Sequence, residues 1–158
     1  MINKGAVVIP ARYESSRFPG KPLSIIDGQT MIQHVYERCV KAVGQSLVYV
    51  ATDSEKIKSC VEEFEGKVIM TSSQCLTGTD RIAEANKVLK LDFIINVQGD
   101  EPLTEPDHVA TLFEAMKENT SNVLNCFCAI SKEETKMSSV PKVVISNSRR
   151  LLYMSRGG

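Results

Sequence analysis

Ala6-Val7-Val8-Ile9-Pro10-Ala11-Arg12-Tyr13-Glu14-Ser15-Ser16-Arg17-Phe18-Pro19-Gly20-Lys21 carries the chain from a short apolar run straight into a basic loop. Ala6 to Ile9 read as a buried strand, because no polar residue alternates with them. The loop sets three cations, Arg12, Arg17 and Lys21, against a single acid, Glu14. Gly20 and two prolines fix the backbone, while Ser15 and Ser16 add hydroxyl donors. A cationic, donor-rich loop at the carboxyl end of a strand suits a polyphosphate, whose oxygens need charge and many hydrogen bonds. It is not a Walker A loop: Pro22 follows Lys21, and the required earlier Gly is missing. A solvated loop that is merely basic fits the same residues, and this stretch alone leaves the two readings level.

Downstream, strand and helix patterns alternate. Ile32, Val35, Tyr36, Cys39, Val40 and Val43 recur at helical spacing. Leu47 to Ala51 reads as a strand, and Ile57, Cys60, Val61 and Phe64 mark a helix capped by Asp53 or Ser54. A short strand at Lys67 to Met70 precedes a helix from about Thr79 to Lys90, and Phe93 to Val97 forms the next strand. Pro106, a favoured first helical residue, opens a helix with Val109, Leu112, Phe113 and Met116 on one face. Val123 to Ile130, Lys142 to Ile145 and Leu151 to Met154 read as further strands. Continuous apolar strands separated by helices predict a three-layer, Rossmann-like α/β fold, its mostly parallel sheet covered on both faces. There are no internal repeats or low-complexity stretches, and one domain over residues 1–158 is expected.

A second motif gives the basic loop a partner. Gln98-Gly99-Asp100-Glu101-Pro102 follows the strand at 93–97 directly, and residues 92–107 hold five acids and no Lys or Arg. Asp100, just past the strand, is placed as a hard oxygen ligand for Mg²⁺, which takes one or two carboxylates plus substrate phosphates. An ordinary turn explains Gly-Asp and Glu-Pro on their own. Taken together, a basic loop and an acidic strand end suggest a metal-bridged nucleoside triphosphate. In open α/β sheets ligands bind beyond the carboxyl ends of the strands, where both motifs fall.

Pro10-Ala11-Arg12-Tyr13, Ser15, Arg17 and Pro19-Gly20-Lys21-Pro22-Leu23 resemble the signature of the 3-deoxy-manno-octulosonate (Kdo) cytidylyltransferase family. Ala51-Thr52-Asp53, Thr77-Gly78-Thr79-Asp80-Arg81 and Asn96-Val97-Gln98-Gly99-Asp100-Glu101-Pro102 match it in the same order, so the resemblance runs from about residue 5 to Arg156. It implies a nucleotide-diphospho-sugar transferase type of fold and transfer of CMP from CTP to Kdo, releasing pyrophosphate, in lipopolysaccharide precursor synthesis. It also implies roles. Arg12 and Lys21 would hold the phosphates, with Ala11, Ser15 and Arg17 in the same loop and Asp100 as the Mg²⁺ ligand. Gln98 would touch sugar or nucleotide. Thr79 and Arg81 would contact the cytidine, although a helix cap and first turn explain Thr79 and Asp80 nearly as well. Arg156 matches a position that faces the sugar carboxylate.

The family continues beyond Gly157-Gly158 into a part supplying a second metal-binding Asp, much of the sugar pocket and most of a homodimer contact. The expectation is therefore a nucleotide-binding half without that part. Acylneuraminate cytidylyltransferases share the fold and a Pro-Ala-Arg opening, but usually continue with a Gly-Ser-Lys type of loop. A cytidylyltransferase for an acylneuraminate or an amino-Kdo, or a non-catalytic CTP-binding fragment, stays open.

Composition narrows the classes further. Nineteen basic residues balance 19 acidic ones, so net charge points to neither nucleic acid nor an anionic membrane. No signal-like segment or membrane-length apolar run is present, and a cytoplasmic enzyme is expected. The five cysteines are irregularly spaced, without zinc-ligand pairs, and read as structural thiols in a reducing compartment. His34 and His108 read as surface helix residues, and Asp53 as a helix cap at least as readily as a site residue.

Overall fold

The computed structural model describes residues 4–14, 18–118 and 123–157. The chain divides into two compact units, Met1–Leu124 and Asn125–Gly158. The first opens with strand β1 (Gly5–Ala11), followed by a small antiparallel hairpin, β2 (Ile25–Ile26) and β3 (Gln29–Thr30), and helix α1 (Met31–Val43). Then come β4 (Val48–Thr52), α2 (Glu55–Glu63), β5 (Val68–Met70), α3 (Gly78–Leu89), β6 (Phe93–Asn96) and α4 (Pro106–Glu118). The second unit contains one antiparallel pair, β7 (Lys142–Ile145) and β8 (Leu151–Ser155).

β1, β4, β5 and β6 form a parallel sheet in the order β5-β4-β1-β6. β1 is central, and all seven of its residues are buried, which is why its sequence lacks polar alternation. Val7, Ile9 and Ala11 pack with α1, α2 and α4 through Ile32, Val35, Ile57, Val61, Val109 and Phe113. On the opposite face Val8 and Ala51 pack against Ile82 and Ala85 of α3. Fully burying an aliphatic side chain of this size is worth about 1.5–3 kcal/mol. The three-layer α/β fold expected from the sequence is the one observed.

The chain runs outward from β1 to β4 and β5, then returns across the sheet to place β6 on the other side of β1. This reversal opens a crevice between the carboxyl ends of β1 and β6. Gly99 lets the two ends meet: a Cβ there would lie 2.9 Å from the Pro10 carbonyl oxygen, which as backbone cannot step aside.

Two readings are corrected. Residues 123–130 form no strand; a strand persists only where a neighbour completes its ladder, and β7 and β8 pair with each other. Ser54 caps α2, its hydroxyl accepting from the Ile57 amide at 3.4 Å, which leaves Asp53 for another partner. The β2–β3 hairpin was not anticipated, although Asp27-Gly28, both with positive φ (48° and 85°), is a strong turn signal. His34 is a partly exposed residue of α1, and its Nε2 donates to the Ile26 carbonyl at 2.7 Å, holding that hairpin on α1.

Candidate nucleotide site

A cleft of about 650 Å³ lies at the crevice between β1 and β6. Pro10, Ala11 and Arg12 line it from the end of β1, and Gln98, Gly99 and Asp100 from the turn after β6. Phe18, Lys21 and Pro22 close one side, and Cys75 to Gly78 with Arg81 close the other.

The backbone fixes both walls. The Gly20 amide donates to the Tyr13 carbonyl at 2.8 Å, closing the basic loop, with Gly20 at φ 72°, a conformation that favours glycine. Lys21–Leu23 then form a 3-10 turn on the buried Pro22. In the turn after β6 the Glu101 amide donates to Gln98 O, and Thr104 donates to Glu101 O through both its amide and its hydroxyl. These bonds present Lys21 and Asp100 to the cleft on short, ordered supports. Lys21 Nζ lies 2.7 Å from Asp100 Oδ2, with the two side chains 38% and 49% exposed.

Arg12 is exposed in the cleft and has no ion-pair partner among the described residues. Gln98 lines the cleft and its amide reaches Asn96 Oδ1 at 3.4 Å. The expected Ser15 and Arg17 lie outside the described residues. Thr79 does not line this cleft: it is exposed in the first turn of α3, between the Thr77 and Asp80 of the capping box. Arg81 borders the cleft but is 3% exposed, its guanidinium donating to Asp53 Oδ2 at 3.0 Å and to the Thr71 hydroxyl. A buried cation needs such partners, so Arg81 shapes the wall by tying α3 to the ends of β4 and β5. Arg156 belongs to the second unit, where its carbonyl accepts from Lys142 Nζ at 3.1 Å.

Phe18, Cys75 and Leu76 line the cleft without having been singled out in the sequence. Leu76 is 84% exposed, and an apolar residue between Cys75 and a helix cap gives no local sign of facing a ligand. The Cys75 thiol donates to Glu84 Oε2 at 3.2 Å. Its pKa is pushed up by desolvation and by Glu84, while Glu84 itself is held down, first by the Ser72 amide that donates to it. That thiol is therefore a poor nucleophile.

Asp100 has the chemistry of a divalent-cation ligand: a hard, solvent-reachable carboxylate beside cations suited to phosphate. Among the described residues no cluster of three or more His, Cys, Asp or Glu is arranged to hold a metal. An ion bound here would complete its shell with phosphate oxygens and water, as Mg²⁺ commonly does.

A sheet of this order, with cations and a carboxylate at its switch point, is an α/β fold of the nucleotide-sugar transferase type. The chain belongs to the cytidylyltransferase family, whose pattern matches residues 6–157. It is 44% identical over 156 residues to the 3-deoxy-manno-octulosonate cytidylyltransferase of Escherichia coli, covering 98% of this chain and 63% of that protein. It is 47% identical to the 8-amino-3,8-dideoxy-manno-octulosonate cytidylyltransferase of Shewanella sp. (strain W3-18-1), covering 95% of this chain and 64% of that protein. A solved structure of CMP:2-keto-3-deoxy-manno-octonic acid synthetase complexed with CTP superimposes with a TM-score of 0.87 at 42% identity, covering 98% of this chain and 64% of that one. The chain thus spans just under two thirds of the length of the relatives it matches. No helix among the described residues is long and apolar enough to cross a membrane.

Proposed function

We propose that this chain carries the CTP-binding part of a cytidylyltransferase that transfers CMP from CTP to a 3-deoxy-octulosonate sugar acid and releases pyrophosphate. The observation that carries the reading is the meeting of Lys21 and Asp100 at the mouth of the β1–β6 crevice, in a chain of the cytidylyltransferase family. Arg12 and Lys21 take the phosphates, supported by Ser15 and Arg17. They offset charge as the sugar hydroxyl attacks the α-phosphorus in line with the departing pyrophosphate. Bound at Asp100, Mg²⁺ would orient the triphosphate and polarise the attacking oxygen. Gln98, on the cleft wall, would touch sugar or nucleotide. Arg81 supports the cytidine side of the cleft through the wall it holds. The product serves lipopolysaccharide precursor synthesis in the cytoplasm, where the five free thiols would stay reduced.

Relatives of both names, Kdo and 8-amino-Kdo, match this chain at similar identity, so the amino sugar is the second reading. Pyrophosphate release with CTP, Mg²⁺ and Kdo, beside 8-amino-Kdo and an acylneuraminate, tests the proposal. Release with Kdo alone supports the first reading, and release with the amino sugar alone supports the second. Release with neither, together with no Mg²⁺-dependent CTP binding, sinks both. Lys21→Met or Asp100→Asn should lower any turnover at least roughly a hundredfold, since each removes charge stabilisation from the transferred group. Near-normal turnover in both variants would refute the assigned roles.

A further inference from the structure

Lys21 and Asp100 lie 79 positions apart in sequence, on separate loops, yet their charged ends meet at 2.7 Å. Both side chains are well exposed, and an exposed pair of this kind adds little to stability. The contact therefore calls for an explanation other than holding the fold. Its geometry bears on metal binding, because the ammonium lies against Oδ2, one of the two carboxylate oxygens open to a divalent ion. Mg²⁺ binds oxygen at about 2.0–2.1 Å, and a like charge at hydrogen-bond distance from that oxygen opposes it. The ammonium at Asp100 Oδ2 therefore competes with a metal for the carboxylate.

Resting on the proposed CTP-binding role, we infer that Lys21 is a resident counter-cation for Asp100. It keeps a divalent metal off the carboxylate until a triphosphate offers the ammonium a better partner. Metal then loads together with nucleotide rather than ahead of it. Three observations support this. The backbone of Lys21 is anchored by the 3-10 turn, in which the Ser24 amide donates to Lys21 O at 3.1 Å, so the exchange needs only rotation of the flexible side chain. Arg12, exposed in the same cleft, helps draw phosphate to where Lys21 can follow. No metal-holding cluster of three acidic, His or Cys side chains exists among the described residues to recruit the ion independently.

The test is Mn²⁺ binding to the full 158-residue chain, followed by electron paramagnetic resonance without nucleotide. Lys21→Met should bind Mn²⁺ about tenfold more tightly than the wild type, as expected for removing one positive charge beside a divalent ion. The double variant Lys21→Met/Asp100→Asn should lose that gain. An unchanged affinity in Lys21→Met, or a gain that survives in the double variant, overturns the inference. Urea midpoints check that the variants are folded. Calorimetry of CTP with the wild type and Mn²⁺ separates this idea from the function it rests on. Normal CTP binding with no Mn²⁺ gain in Lys21→Met refutes the counter-cation role and leaves the cytidylyltransferase reading standing. No CTP binding with a tenfold gain sinks that reading and with it the nucleotide-driven exchange, and leaves only the competition at Asp100.

Discussion

Asp53 acts through Arg81. The guanidinium is almost wholly buried, and its ion pair with Asp53 at 3.0 Å is the one most removed from solvent among those of the described residues. Removing one partner of such a pair strands a charge, whereas removing an exposed partner strands nothing. Asp53→Ala should therefore destabilise the first unit by roughly 3 kcal/mol, read as a lowered urea midpoint. Lys21→Met should cost no more than about 1 kcal/mol, because its pair is open to water. Equal losses in the two variants would show that Arg81 finds a substitute partner. The contrast also explains what the sequence could convey. A basic loop after a buried strand was legible because charge and chain position are local facts. That Arg81 turns inward was not, because its partners Asp53 and Thr71 lie 28 and 10 residues away and become neighbours only when β4, β5 and α3 pack.

At the scale of elements, the strands and helices around the crevice were legible in their apolar periodicity, since β1, β4 and β6 are buried and α1, α2 and α4 each have one buried face. Elements with weak or no core contact were less so. The two-residue strands β2 and β3 offer no periodicity, and the apolar residues of 123–130 imitate a strand without a ladder partner. The carboxyl end of β6 gives the sharpest test of how the elements set the site. A Cβ at Gly99 would meet Pro10 O at 2.9 Å, Ile32 Cδ1 at 3.3 Å and Ala11 Cβ at 3.4 Å. Gly99→Ala should push the β6 turn away from β1, costing about 1–3 kcal/mol, and should weaken CTP binding as Asp100 and Lys21 separate. Calorimetric CTP affinity equal to wild type would mean that the crevice tolerates the shift. Thr77→Ala, which removes the cap of α3, should cost only about 1 kcal/mol, with a smaller effect on CTP. Its role is to hold one helix end, and Gly78 keeps its place beside Pro10.

For the molecule as a whole, the free thiols report which parts are packed. Cys39 is fully buried on α1 within the larger core cluster, whereas Cys126 and Cys128 are exposed in the second unit. A thiol reagent at pH 8 should modify Cys126 and Cys128 rapidly in the native protein and Cys39 only on unfolding; rapid native modification of Cys39 would contradict the core described above. Burial also pushes the Cys39 thiol up to about 12 from its ordinary 9.0, and burial likewise raises Tyr36 one turn earlier. The sign of the linkage follows. Between pH 9 and about 12 the unfolded chain releases the Cys39 proton while the folded chain keeps it, so the folded state binds more protons and stability falls as pH rises. The stabilisation is complete below pH 9 and declines by at most roughly 1.4 kcal/mol per pH unit above it. Urea midpoints should therefore drop steeply above pH 9. Cys39→Ala should be less stable at pH 7, because it leaves a small cavity, yet lose stability more slowly in alkali. Combining it with Tyr36→Phe should flatten the decline further, since both groups that the core holds neutral are then gone. A double variant whose midpoint falls as steeply as the wild type would show that alkaline unfolding is driven from outside this core.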